Sequence, residues 1–194
     1  MKKTTLALVL ALMLAPAAFA QDADDSYNRG SVGVFLDYLR LKHADLNQFG
    51  LGGRVGFNVH RNVALEAEGA YDFRQSRTET VTSGATTSTY RADLRTTSFL
   101  FGPKFQTSGP VKVYGTLKGG ILNFSVSTAA APLGFTNTLR TIRDGDTNGV
   151  FYPAGGIEAY AGWFGVRVEA GDMMYFDRGA NHNFRLTVGP QFRF

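Results

Sequence analysis

The stretch NHNFRLTVGPQFRF alternates strictly: Phe184, Leu186, Val188, Pro190, Phe192 and Phe194 share one side, and Arg185, Thr187, Gly189, Gln191 and Arg193 the other. A period of two is the pattern of a β-strand whose faces meet different surroundings. The rhythm recurs along the chain in segments of about ten residues, the length that crosses a bilayer as a tilted strand. FGLGGRVGFNV sets Leu51, Val55, Phe57 and Val59 against Arg54 and Asn58, and NVALEAEGAYDF sets Val63, Leu65, Ala67, Tyr71 and Phe73 against Glu66, Glu68 and Asp72. RTTSFLFGPKF sets Phe99, Phe101 and Phe105 against Ser98, Leu100 and Lys104, and VKVYGTLKGGI sets Val111, Val113, Leu117 and Ile121 against Lys112, Tyr114, Thr116 and Lys118. SVGVFLDYLRL carries Asp37 on its polar side, with Phe35 and Leu39 blurring the alternation. VFYPAGGIEAY carries Tyr152, Glu158 and Tyr160 there, and FGVRVEAGD carries Arg167 and Glu169. With the C-terminal segment, eight strands are expected.

Their connections alternate in length. Tight turns are expected at 60–62, 107–110 and 161–163, and longer joins rich in Thr, Ser, Asn, Asp and Gly at 42–48, 74–93, 123–149 and 175–182. Short turns on one side and long loops on the other are the pattern of an outer-membrane barrel. A soluble sandwich also alternates, but its apolar face fills a core and its polar face meets water. Here the strand interiors carry charges of both signs on the polar face. The apolar face brings aromatics close to chain reversals, at Phe57, Tyr71, Phe73, Phe105, Phe164, Phe192 and Phe194, as a membrane-boundary belt requires. The fold expected is therefore all-β: an eight-stranded antiparallel up-and-down transmembrane β-barrel, with both termini periplasmic because the strand number is even.

MKKTTLALVLALMLAPAAFA supplies Lys2 and Lys3, an apolar run too short to span a membrane, and the small-x-small ending Ala18-Phe19-Ala20. Residues 1–20 read as a cleaved signal peptide, 21–29 as a short periplasmic segment and 30–194 as the barrel, placing the protein in the cell outer membrane. Loss of Lys2 and Lys3 lowers the formal charge by two from +4. No dense basic run remains, which excludes nucleic acid as a partner. With no cysteine, neither a lipid-anchored terminus nor a disulfide framework is available.

The ending FRLTVGPQFRF resembles the C-terminal assembly signal of bacterial outer-membrane barrels. The alternation over roughly residues 30–194 resembles the small eight-stranded barrels: the OmpA-like membrane domain and its OmpX-type and opacity-protein-like relatives. That resemblance implies recognition by the barrel-assembly machinery through Phe184, Leu186, Val188, Phe192 and Phe194. It fixes architecture far more than activity. The expected departure is the absence of the periplasmic peptidoglycan-binding domain of full-length OmpA-type proteins.

Eight strands enclose an interior that side chains can fill. The inward faces should carry a lumen charge network of Asp37, Arg54, Glu66, Glu68, Lys112, Lys118, Glu158, Arg167, Glu169 and Arg185, joined by Asp72, Lys104 and Arg193. Tyr114, Tyr152 and Tyr160 can extend it through their hydroxyls. Opposite charges of near-equal number are what burial demands, because an unpaired ion in such a lumen is costly. Arg54 should meet Glu66 or Glu68, since one tight turn joins their strands.

Other constellations carry less chemistry. DGDTNG (144–149) matches the first half of a calcium loop through Asp144, Asp146, Asn148 and Gly149, but Gly155 stands where the bidentate Glu belongs, so a polar turn is the plainer reading. His43, His60 and His182 lack partners at ligand spacing, and no metal or cofactor is expected. His182 lies near the mouth, where a lipid-modifying barrel enzyme places its base, but GANHNF offers no serine and the nearest mouth carboxylate in sequence is Asp177. The function expected is a monomeric, non-enzymatic barrel with a plugged, charge-paired lumen. It would act as a structural or surface-interaction protein through four extracellular loops, among outer-membrane lipid and lipopolysaccharide, with an extracellular protein or glycan as ligand. The alternatives are a narrow channel for small solutes and, behind it, a lipid-modifying enzyme.

Overall fold

Alternation becomes a closed sheet through eight strands, β1 Gly30–Leu41, β2 Leu46–His60, β3 Val63–Ser83, β4 Thr86–Gln106, β5 Val111–Thr128, β6 Asp146–Ala161, β7 Phe164–Phe176 and β8 Ala180–Arg193. The structure is a computed structural model, and it describes residues 28–42, 46–83, 86–128, 146–177 and 179–194. Residues 1–20, read as a signal peptide, residues 21–27, His43 and residues 129–145, with Asp144 of the calcium-like motif, lie outside these residues. Each strand pairs antiparallel with the next, and β8 pairs with β1 to close the barrel. The seam is tied at its end by two bonds: the Gly30 amide donates to the Phe194 carbonyl at 2.9 Å, and the Phe194 amide to the Gly30 carbonyl at 3.0 Å.

The three tight turns lie at one end. Between β6 and β7 only residues 162 and 163 intervene, and Gly162 adopts φ +64°, a left-handed value that glycine takes without steric cost. At the other end the strands run further than their composition suggests. The join expected at 74–93 is largely strand, with β3 and β4 paired out to Ser83↔Thr86, and strand enters the join expected at 123–149 from both sides, β5 reaching Thr128 and β6 starting at Asp146. The joins at 42–48 and 175–182 shrink likewise, with β2 starting at Leu46 and β8 at Ala180. The segment read as a polar turn also changes, since Asp146–Gly149 opens β6 and pairs with Phe124–Ile121 of β5. Threonine-rich sequence favours extended backbone, and a hairpin ladder continues beyond a bilayer as readily as within it.

The two faces separate cleanly. Val34, Leu36, Leu51, Val55, Phe99, Phe101, Val113 and Ile157 are exposed on the outside, whereas their inward neighbours Phe35, Asp37, Arg54, Ser98, Leu100, Tyr114 and Glu158 are buried. Two aromatic girdles bound this apolar band. Near the tight turns, Phe57, Phe105, Trp163, Phe164, Phe192 and Phe194 line the outer wall, and the Trp163 ring stacks on Phe192 at 5.5 Å. Near the other end, Tyr38 packs against Phe49 at 5.2 Å and Phe184 at 6.5 Å, with Tyr71 and Phe73 on the neighbouring β3. The ten steps from Phe184 to Phe194, along β8 and one residue past it, span roughly 33 Å. At a tilt of about 40° that is about 25 Å, the height of a transmembrane barrel's apolar band.

The lumen is filled in two tiers. The ribbon end is the one away from the tight turns, where the β3–β4 hairpin runs on past its neighbours. Toward it the lumen is apolar, with Leu39, Leu41, Leu46, Leu94, Leu122, Phe124, Val150, Met173 and Tyr175 buried together and the Phe124 and Tyr175 rings 5.3 Å apart. Below lies the ionic tier. Phe35 also points inward, at 3% exposure, and β2 makes room for it with Gly52, where a Cβ would collide with the Phe35 ring. Gly52→Ala should therefore cost about 1–3 kcal/mol through overpacking. Urea unfolding of refolded protein should show this loss, and part of it should vanish in a Phe35→Ala background.

Candidate functional site

Arg167 organises the ionic tier. Its Nη1 donates to Glu66 at 2.6 Å and Glu158 at 2.9 Å, its Nη2 to Glu66 at 2.9 Å and to Glu169, and its Nε to the Tyr114 hydroxyl at 2.7 Å. All five guanidinium N–H groups are thereby used. Lys104 bridges the same acids, 2.7 Å from Glu158 and 3.0 Å from Glu66. A second cluster forms around Glu68, which accepts from Arg54 Nε at 2.7 Å, Lys118 Nζ at 2.6 Å and Arg185 Nη1 at 2.6 Å. Arg185 also clamps Asp37, through Nη2 at 2.6 Å and Nε at 2.9 Å. Glu169 joins the clusters, 3.1 Å from Arg54 and 3.4 Å from Lys118 on one side and bonded to Arg167 on the other.

The register explains these meetings. Arg54↔Glu68 is a direct cross-strand pair of β2 and β3, and Glu158↔Arg167 one of β6 and β7. Asp37–Arg185 and Glu66–Lys104 join adjacent strands diagonally and Arg167–Glu169 lie two apart on β7, whereas Arg167 to Glu66 and Arg185 to Glu68 reach across the lumen to β3. Among the described residues, the acids Asp37, Glu66, Glu68, Glu158 and Glu169 balance the bases Arg54, Lys104, Lys118, Arg167 and Arg185. Asp72 is buried above them, with one carboxylate oxygen lacking a hydrogen-bond partner. Aromatic faces pack around the cations, Arg54 over Phe35 at 4.6 Å and Arg185 over Tyr152 at 5.1 Å.

Lys112 and Arg193, expected inside this network, are not brought into it. Lys112 has the right parity but sits half-buried beside the turns, its Nζ 5.7 Å from the Tyr160 ring. Arg193 stands over the same ring at 4.5 Å and donates to the Gly162 carbonyl at 2.7 Å. Depth, which alternation does not encode, separates them from the buried ions. The residues read as an assembly signal, Phe184, Leu186, Val188, Phe192 and Phe194, line the outer face of β8, with Leu186 and Phe192 partly covered.

Outside the wall, at the ribbon end, lies a shallow cleft of about 460 Å³ lined by Lys42, Ala170, Gly171, Asp172, His182, Asn183 and Phe184. The acid beside His182 is Asp172, which takes the place expected of Asp177, because β7 and β8 pair Asp172 with Phe184 and Met174 with His182. Asp172 Oδ2 lies 2.5 Å from His182 Nδ1, and Oδ1 accepts the Asn183 amide at 3.1 Å. The buried Asn183 side chain donates to the Met173 and Asn181 carbonyls at 3.0 Å each and accepts the Lys42 amide at 3.1 Å. It thereby fastens the end of β1 to the β7–β8 hairpin. No serine, threonine or cysteine lines the cleft, so its own side chains offer contacts and charge but no hydroxyl or thiol nucleophile. Among the described residues no cluster of His, Asp and Glu is arranged to hold a metal.

Comparison with known proteins places this geometry. A family model described as an outer membrane protein β-barrel domain matches residues 4–192. Among solved structures, the attachment invasion locus protein Ail of Yersinia pestis, in complex with the heparin analogue sucrose octasulfate, superposes with a TM-score of 0.54 at 15% identity, covering 86% of this chain and 97% of that one. Neisserial surface protein A gives 0.54 at 11% identity, covering 85% and 96%. OprG of Pseudomonas aeruginosa gives 0.53 at 12% identity, covering 87% and 96%. No curated protein matches the sequence. Likenesses this remote establish the fold alone, whereas the family model spans nearly the whole chain, and the chain belongs to the outer-membrane β-barrel family.

Proposed function

We propose that this protein is a non-enzymatic outer-membrane scaffold whose lumen is sealed and whose β3–β4 hairpin is its binding surface. The hairpin carries the reading. β3 has its last β2 partner at Gly50↔Asp72 and β4 its last β5 partner at Ala92↔Thr128, yet β3 and β4 pair on to Ser83↔Thr86. Among the described residues, nine pairs from Gln75↔Leu94 onward form a two-stranded ribbon, most of whose outer backbone edges have no strand beside them. An unpaired edge offers rows of N–H and C=O groups to an extended partner, and Arg95, over the Tyr71 ring at the ribbon's base, adds positive charge, whereas Arg74 is paired with Asp93 at 3.3 Å. The orientation that suits this ribbon puts it outside the cell and the tight turns with both termini in the periplasm. Export by residues 1–20 and insertion through the outward aromatic face of β8 complete the proposal.

The two tiers support the sealed lumen. Ten buried charges that neutralise one another leave no mobile field for an ion to follow, and the apolar tier above them disfavours a water column. This makes the channel the weaker reading.

Three measurements bear on it. Replacing residues 76–91 by a two-residue turn should leave a heat-modifiable barrel but abolish binding of the folded protein to a sulfated glycan. The probe is the heparin analogue sucrose octasulfate, the molecule bound by the Yersinia pestis neighbour. Undiminished binding would remove the ribbon from the account. Refolded protein in planar bilayers should give no steady conductance above the lipid baseline, and discrete reproducible openings would restore the channel. Within the ionic tier, Arg54→Ala should destabilise by about 3–5 kcal/mol, because Glu68 and Glu169 stay buried with one cation fewer. Arg54→Ala with Glu68→Ala should cost less than the sum of the single changes, by about 0.5–3 kcal/mol.

A further inference from the structure

We propose that the cleft on the outer wall at the ribbon end seats a phosphate of lipid A, the membrane anchor of lipopolysaccharide. The inference rests on the orientation given above, which puts this end in the outer leaflet. Surface labelling of the ribbon on intact cells checks that orientation separately.

The cleft lies where a lipid headgroup must lie. On β8 the outward residues run from Phe184 to His182, and on β1 from Tyr38 to Arg40 and Lys42. The Tyr38–Phe49–Phe184 girdle marks the top of the apolar band, and the cationic side chains begin at the next outward position above it. Arg40 is paired with Phe184 across the seam and exposed, and Lys42 lines the cleft beside His182. Charges at the hydrocarbon boundary are rare unless they reach headgroups.

The site is built in advance. Asn183 is 2% exposed and holds the Lys42 backbone, so Lys42 stands on a fixed point at the strand end. Asp172 spends one oxygen on the Asn183 amide and the other on His182 Nδ1, which fixes the imidazole and leaves Nε2 without a partner among the described residues. Beneath these groups, Ala170 and Gly171 give a low floor and Phe184 an apolar wall, a surface on which an acyl chain can lie while the phosphate meets Lys42 in the cleft and Arg40, opposite Phe184 at its edge. Asp172 is an anion on the same rim. Its pairing with His182 limits its repulsion of a phosphate, and the two cations of β1 outnumber it.

The full chain refolded in a neutral detergent should retain lipid A through gas-phase release in native mass spectrometry, in preference to phosphatidylglycerol. Removing two basic side chains at an anionic headgroup surface should weaken retention roughly thirtyfold, so Arg40→Ala with Lys42→Ala should all but lose the adduct. Lys112→Ala, a basic change at the opposite rim, should leave it intact. All are compared on the heat-modifiable, folded fraction. Equal retention by the double variant and the parent would overturn the site. Equal loss in Lys112→Ala would reduce the effect to net charge and overturn it too. Phosphatidylglycerol held as firmly as lipid A would overturn the choice of ligand.

Discussion

In hydrocarbon no water is present to satisfy a backbone amide or carbonyl, so a spanning sheet survives only if its last strand pairs with its first. That demand runs through the whole molecule. It sets the register between β1 and β8, where Leu36 lies opposite Val188 and Asp37 opposite Thr187. It brings Asp37 and Arg185, far apart in sequence, within 2.6 Å across the seam. Once the wall is closed, half of each strand's side chains must share a confined interior, and the composition of that interior follows from what can be buried.

Two chemistries share the space. Glutamates and basic residues occupy the middle and the turn-side half, where cross-strand pairs supply the first contacts and Arg167 and Lys118 connect them across the lumen. Leucine, phenylalanine and methionine fill the ribbon-side half. A single ion removed from the first tier leaves its partners buried without compensation, so the network resists piecemeal change even though its net contribution to stability is modest. The apolar tier tolerates change of size less well than change of identity.

The wall was legible in the sequence and the depth along it was not. Alternation gave parity, and with parity came the eight strands, the outward Val113 and Ile157, and the inward Leu100. The turn near Arg61 brought Arg54 and Glu68 together, because a short hairpin leaves little choice of register. Where both faces are apolar the signal blurs: Phe35 and Leu39 of β1 face the interior beside the outward Val34 and Leu36, and nothing in their chemistry says so. Lys112 shows the converse, with correct parity but a position too near the rim to be enclosed. The Asp172–His182 contact needed the β7–β8 register, which composition does not supply. The ribbon was concealed by its polar residues, which read as loop while the backbone stays paired.

Gly30 and Phe194 hydrogen-bond to each other across the seam, so the two ends of the barrel wall lie side by side. A short linker could join them, and the chain could be reopened at the ribbon's tip, giving a circular permutant with every ladder retained and no aromatic terminus. The wall is then specified by which strands neighbour one another and not by where the chain is cut, a property of the closed cylinder itself.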